Sequence, residues 1–252
     1  MKRLAIAIRF LTIIPLRGDL PSRAGMAGGT AAFPVVGLLQ GALLVLVAYF
    51  TGRVFPPGVS AAMLLFALAL STGGLHLDGL ADTFDAVAKR GSRQEKLLVM
   101  KDGKTGPIGV AAITLSLLLK FALLSGLSVS RLYFISLLYM PAFSKWAMVV
   151  AMYHGRPARQ DGLGKIFVEG AGGRELFAAT AVMLIITGVP IAMGAAGALA
   201  LFAGTMTVTL YLFCLLSVRF SHRQFGGLTG DTLGAIAELS EIIYLLTALA
   251  WP

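Results

Sequence analysis

Seven continuous apolar runs, at roughly 31–51, 58–75, 107–127, 132–152, 176–193, 195–217 and 233–251, constrain this chain more than any other feature. A run of about 20 apolar residues crosses the hydrocarbon of a bilayer as a helix, because only a helix or a closed barrel pairs every backbone N–H and C=O where water is absent. A barrel would alternate apolar and polar residues with period two, and these runs are unbroken. The expectation is an all-α polytopic membrane protein of about seven transmembrane helices, with residues 1–252 forming a single integral membrane domain. The fifth and sixth spans should be parted only by a short turn near Met193 and Gly194. Composition agrees, since 57% of the 252 residues are hydrophobic and 13% charged, against about 25% charged in a soluble domain. Mean hydropathy is +0.84. The 30 glycines suit helices that pack closely through small residues, and they admit a homo-oligomer.

A net charge of +9 would raise the question of nucleic acid in a soluble protein. Here the placement of the charges matters more. With seven spans alternating sides, 17 of the 21 Lys and Arg residues, Arg17 and Arg23 among them, fall on one side of the bilayer. Arg53 and Arg131 fall on the other, and Lys120 and Lys145 lie within spans. Basic residues collect in cytoplasmic loops, which predicts a cytoplasmic N-terminus, an outside C-terminus, a lipid bilayer as partner and no nucleic acid. Anionic lipid or an anionic substrate is the other use for such an excess. The basic start MKRLAIAIRFLTIIPL resembles a signal peptide, but Arg9 interrupts it and no clear cleavage site follows, so a retained short interfacial helix is expected. The single cysteine, Cys214, sits in an apolar run and reads as a small buried hydrophobe.

The acids are as unevenly distributed as the bases. Asp78, Asp82, Asp85, Asp102, Asp161 and Asp231 all lie in or beside the cytoplasmic connections. A transporter would place ionisable groups near the midplane, whereas these gather at one face, which favours an enzyme of the cell inner membrane with its site towards the cytoplasm.

The most informative stretch is GGLHLDGLADTFDA, Gly73 to Ala86. In a helix, Asp78, Asp82 and Asp85 stand at i, i+4 and i+7 on one face. Three such carboxylates repel one another unless a hard divalent cation such as Mg²⁺, which shares its coordination with substrate phosphates, relieves them. The simpler alternative is a solvated face or ion pairs with Lys89 and Arg90. His76 either packs at the surface or serves near the substrate. A second polar group, Gly226 to Gly234, leads into Glu238 and Glu241, with Asp231 and Glu238 seven apart on one helical face. Carboxylates that deep require pairing, protonation or metal, and Lys120 and Lys145 are the candidate partners. Two further segments, Met100 to Gly109 and Asp161 to Phe167, each combine an acid, glycines and lysine. Lys101, Lys104, Arg159 and Lys165 are candidate pyrophosphate contacts, or else determinants of topology.

These segments carry a resemblance. FLTIIPL at Phe10 to Leu16, FPVVGLLQG at Phe33 to Gly41, GGLHLDGLADTFDA, the MKD segment at Met100, DGLGKIF at Asp161 and GLTGDTLGAIAELSE at Gly227 occur in the order found in the cobalamin synthase family. The chain therefore resembles the adenosylcobinamide-GDP ribazoletransferases over most of its length. The resemblance implies a Mg²⁺-dependent, membrane-bound reaction that joins adenosylcobinamide-GDP to α-ribazole or its 5′-phosphate and releases GMP, in the lower-ligand step of cobalamin synthesis. It implies Asp78, Asp82 and Asp85 as metal ligands, and Asp231, Glu238 or Asp82 in catalysis. Substrate binding falls on His76, Asp102, Lys104, Asp161, Lys165, Thr229, Gly230 and Glu241. The chain departs from the family pattern after MKD, where Gly103 and Thr105 replace a serine and an aliphatic residue, which weakens the carry-over to Asp102 and Lys104. The alternatives are a CDP-alcohol phosphotransferase, whose aspartate spacing differs, and a corrinoid or cation transporter, which would need symmetric halves.

Overall fold

The apolar runs fold as helices throughout. The computed structural model describes residues 2–16, 23–192 and 196–252, so the expected turn at Met193 and Gly194, and Arg17 of the charge pattern, lie outside the described residues. Among the described residues twelve α-helices follow in order. They are α1 (Lys2–Leu11), α2 (Arg23–Gly29), α3 (Phe33–Thr51), α4 (Pro57–Thr72), α5 (Leu75–Ala88), α6 (Arg93–Lys101), α7 (Pro107–Leu127), α8 (Tyr133–His154), α9 (Leu163–Gly170), α10 (Gly173–Ala192), α11 (Ala196–Phe225) and α12 (Gly230–Leu249). Five helical stretches are long and apolar enough to cross a membrane, namely Gly25–Thr51, Pro107–Leu127, Tyr133–His154, Gly197–Phe225 and Gly230–Leu249. Two bent pairs bring the number to seven when each is taken as one span: α4 with α5, at 89°, and Gly164–Gly170 with Gly173–Gly188, at 88°.

The helix α8 is the centre of the bundle. Every side chain from Tyr139 to Met152 is buried, as expected of a helix that is apolar all round. On α3, Gly41 lets the two backbones touch, since a Cβ there would fall 2.6 Å from the carbonyl carbon of Leu138. This is the small-residue packing that membrane helices use where no hydrophobic force separates protein from lipid. Cys214 is buried in the same core and donates its Sγ–H to the carbonyl of Ala147 at 3.3 Å. The N-terminal α1 is a short helix that buries Ala7 and Leu11.

The bend between α4 and α5 has a local cause. Gly73 and Gly74 take φ values of +62° and +74°, the left-handed region that side chains disfavour, so the chain ends one helix and starts another almost at right angles. Consequently α5, which is not itself long and apolar enough to cross, turns across the end of the bundle and packs on α7 and α12. Where α5 meets α12, a Cβ on Gly79 would come within 2.8 Å of the Asp231 carbonyl oxygen. A capping box starts α12: the Thr232 N–H donates to the Thr229 hydroxyl oxygen at 3.1 Å, and the Thr229 N–H donates to that of Thr232 at 2.8 Å. Phe10 of α1, Phe33 of α3 and Phe167 of α9 form one aromatic cluster, with ring centroids 4.2 to 5.9 Å apart. That cluster ties the N-terminal helix and α9 to the bundle.

Candidate active site

A cleft of about 270 Å³ opens where α5, α9 and the start of α12 meet. His76, Asp78, Arg159, Asp161, Lys165 and Asp231 line it, with Thr229 and Gly230 at the head of α12 and Gly162 and Gly164 facing them. Phe10, Met148, Phe167, Leu228 and Leu233 form an apolar wall.

Backbone pairing fixes one side of the cleft. The Leu228 N–H donates to the Arg156 carbonyl at 2.7 Å and the Ala158 N–H donates to the Leu228 carbonyl at 2.8 Å, a single parallel bridge between two loops. This lays Arg159 beside α12, with Nη1 3.7 Å from Asp231 Oδ2 while Nη2 donates to the Leu97 carbonyl at 3.0 Å. The guanidinium is thus held by the protein at one face and by a carboxylate at the other, next to open cleft.

The aspartates of α5 divide into two uses. Asp82 is only 7% exposed, and burial, together with the neighbouring charges of Asp78, Asp231 and Asp85, raises its pKa to about 6. Carboxylates from two helices therefore share one electrostatic site. Asp85 is committed elsewhere, since its Oδ2 accepts the Gly106 N–H at 2.6 Å and its Oδ1 accepts the Gly109 N–H at 2.8 Å. It caps the N-terminus of α7, where orphan backbone donors and the helix dipole favour a negative charge. Among the described residues no three His, Cys, Asp or Glu side chains are arranged to hold a metal ion by themselves. The donor chemistry still suits a hard cation, because Mg²⁺ is ordinarily held by one or two carboxylates together with waters and substrate phosphates.

Deeper in the bundle, Glu238 and Glu241 are not in the cleft. Lys120 donates to Glu238 Oε2 at 2.6 Å and to Glu241 Oε2 at 2.5 Å, and Lys145 donates to Glu241 Oε1 at 3.3 Å. All four side chains are buried, two positive and two negative, which is the pairing that makes intramembrane charge tolerable. His76 stands between the two regions. It lines the cleft and also the small cavity beside Lys120, Glu238 and Glu241, and its buried Nε2 has no hydrogen-bond partner.

The remaining candidates sit at the rim. Lys101 reaches Asp161 at 3.3 Å, which joins the MKD and DGLGK segments, and Lys165 donates to the Gln160 carbonyl at 3.2 Å. Asp102 and Lys104 form an exposed pair at 3.8 Å and do not line the cleft. Sequence reasoning passed over the apolar wall. Phe10 and Phe167 stood inside the motifs FLTIIPL and DGLGKIF, but an aromatic in a hydrophobic run gives no sign of which neighbour it meets.

Residues 3–249 match the family model of cobalamin-5-phosphate synthase. The chain belongs to that family. Similar proteins include the adenosylcobinamide-GDP ribazoletransferase of Geotalea daltonii, 38% identical over 97% of this chain and 96% of the relative. Those of Acetivibrio thermocellus, 35% identical over 98% and 96%, and Thermodesulfovibrio yellowstonii, 30% identical over 99% and 96%, match as fully. No solved structure matches. Of the segments that carried the resemblance, FLTIIPL, GGLHLDGLADTFDA, DGLGKIF and GLTGDTLGAIAELSE each supply side chains to the cleft, whereas FPVVGLLQG and the MKD segment do not line it.

Proposed function

We propose that this chain is an adenosylcobinamide-GDP ribazoletransferase. It joins adenosylcobinamide-GDP to α-ribazole or α-ribazole 5′-phosphate, forms adenosylcobalamin or its 5′-phosphate, and releases GMP. The observation that carries the reading is the meeting of Asp78, Asp231, Arg159 and Lys165 around one cleft in a family member whose full-length relatives bear that name.

The reaction exchanges a pyrophosphate for a phosphodiester. A ribose hydroxyl oxygen attacks the phosphorus next to the corrinoid aminopropanol, the bond from that phosphorus to the GMP oxygen breaks, and the hydroxyl proton passes to a base. Such displacements are governed by positioning and charge neutralisation. Arg159 and Lys165 supply cations for the phosphate oxygens, Arg159 as a planar donor already oriented by the Leu97 carbonyl. Asp231 is the base in this reading, because it lines the cleft whereas Glu238 is bonded to Lys120. Asp78 and Asp82 would hold Mg²⁺, which supplies neutralisation of the charge that builds on the transferring phosphate. Asp85 supports α7 and stands behind that site. Thr229 and Gly230 bring the head of α12 to the substrate, while Phe10 and Phe167 exclude water from one wall.

The charge asymmetry of the loops supports a multi-pass protein of the inner membrane, N-terminus in the cytoplasm, with the cleft open to that side. No observation favours the CDP-alcohol phosphotransferase or the transporter. The test is GMP release by the purified protein in liposomes, given adenosylcobinamide-GDP and α-ribazole 5′-phosphate with Mg²⁺ or with EDTA. Metal-dependent GMP together with a cobalamin product supports the reading. Absence of both, from protein that remains folded, overturns it.

A further inference from the structure

A second cavity, of about 400 Å³, lies on the opposite side of α5 from the aspartates, between α5, α11 and α12. Phe84, Val87, Phe213, Leu216, Phe220 and Ile236 give it an apolar lining. Phe84, Leu216 and Phe220 are exposed, and α11 belongs to one of the long apolar spans, so this groove opens along an exposed apolar face of that span. Apolarity alone would suit any hydrocarbon or any passing helix.

Two further observations select the occupant. The first is the charge at one end of the groove, where α6 meets the end of α11. Arg93 Nε donates to the Arg223 carbonyl at 3.3 Å and Lys96 Nζ donates to Gln224 Oε1 at 2.5 Å, one residue from Phe225. None of Arg93, Lys96, Arg219 and Arg223 has a carboxylate within 4.0 Å among the described residues. Val87 belongs both to the groove and to the small apolar cluster of Ala86, Met100 and Phe225 beneath α6, so the cations and the groove are continuous. The second is the hydroxyl of Thr83, which lines the groove, is 7% exposed and has no hydrogen-bond partner. A buried hydroxyl with no protein partner is open to a polar atom from outside the protein.

We propose that this groove binds an anionic phospholipid, with its acyl chains along Phe213, Leu216, Phe220 and Ile236, an ester oxygen at Thr83 and its phosphate at Arg223 and Lys96. An apolar slot with one polar contact part-way and cations at the water-facing end matches the order of parts in such a lipid. Clustered Lys and Arg at the cytoplasmic end of a span attract anionic headgroups. The site is separate from the catalytic cleft and does not depend on which reaction that cleft performs.

The experiment uses the full-length protein in detergent, titrated with phosphatidylglycerol or with phosphatidylcholine of the same acyl chains, read by thermal unfolding and by native mass spectrometry. A ligand bound only by the folded state raises the midpoint by mass action, so phosphatidylglycerol should raise it by about 3 °C more than phosphatidylcholine. The bound fraction should favour phosphatidylglycerol at least ~10-fold. The double variant Lys96→Gln/Arg223→Gln should keep the midpoint in phosphatidylcholine and lose the difference, and Ser217→Phe, which fills the groove from one of its lining positions, should lose retention of both lipids. Equal binding of the two lipids to the unaltered protein overturns the proposal without recourse to any variant. So does a preference that survives the double substitution, or a shift that glycerol 3-phosphate alone reproduces.

Discussion

Gly79 on α5 lies against the backbone of Asp231 on α12, so closely that a Cβ on Gly79 would stand 2.8 Å from the Asp231 carbonyl oxygen and 3.0 Å from its Cα. Gly234, one turn along α12, faces the His76 backbone, where an added Cβ would be 3.3 Å from both Cα and oxygen. These two contacts bring Asp78 and Asp82 to Asp231, and the site exists because the helices have no side chains between them there. Gly79→Ala should therefore push α5 and α12 apart. Overpacking of this kind costs about 1–3 kcal/mol in thermal stability. The larger effect is expected on turnover, down about 10²-fold, because a displacement near 1 Å at a reacting centre has that consequence. Thermal unfolding and GMP release on the same preparation separate the two.

Glu238 and Asp231 should behave differently although both are carboxylates on one helix. Glu238→Gln removes one of the two negative charges that face Lys120 and is expected to lower stability by about 1–3 kcal/mol while turnover stays within a few-fold. Lys120→Met leaves two buried glutamates with one cation, and should cost about 3–5 kcal/mol or abolish folding. A large loss of turnover in well-folded Glu238→Gln would return that residue to the chemistry.

Asp85 and Asp78 separate in the same manner. Asp85→Asn weakens two hydrogen bonds at the head of α7, and its expected cost is about 1 kcal/mol of stability with an unchanged Mg²⁺ requirement. Asp78→Asn should instead raise the Mg²⁺ concentration needed for half-maximal activity at least ~10-fold. Titrating Mg²⁺ against both variants decides which aspartates hold the cation.

The acidic cluster predicts a pH effect with a definite sign. Burial and like charges hold Asp82 at about 6 in the folded protein, above its ordinary value of 3.8, so the folded state binds the proton more tightly than the unfolded one. Without divalent cation, stability should fall as pH rises from about 4 to about 6 and level off above that. Mg²⁺ competes with the proton for the same oxygens, so it should raise the unfolding midpoint more at pH 7 than at pH 5. A Mg²⁺ effect independent of pH would contradict the grouping of Asp82 with Asp78 and Asp231.

Much of this was legible because the signals were local. Continuous apolar runs mark spans, and Asp78, Asp82 and Asp85 at i, i+4 and i+7 mark one helical face, since both follow from the helix alone. What the residues on that face would do was not local. Asp85 meets Gly106 and Gly109 more than 20 positions away, and the same carboxylate would look identical in sequence whether it bound a cation or capped a helix. Lys120 and Lys145 were the only cations inside spans, so their pairing with Glu238 and Glu241 was among the readings open to the sequence, and the choice between pairing and catalysis waited on the packing of α7, α8 and α12. Gly73 and Gly74 stood at the end of the second apolar run, yet nothing local told a loop from a right-angled turn into α5. Arg159 gained its place from the bridge between residues 157 and 228, a contact no periodicity reports.

The transfer is assigned to the cleft beside Asp231. The direct test compares GMP release from adenosylcobinamide-GDP and α-ribazole 5′-phosphate by the unaltered protein, Asp78→Asn, Asp231→Asn and Glu238→Gln, reconstituted side by side at saturating Mg²⁺. Release should fall at least ~100-fold in Asp231→Asn, and strongly in Asp78→Asn, with unfolding midpoints close to that of the parent, while Glu238→Gln stays within a few-fold. Release by Asp231→Asn within a few-fold of the parent would contradict that assignment.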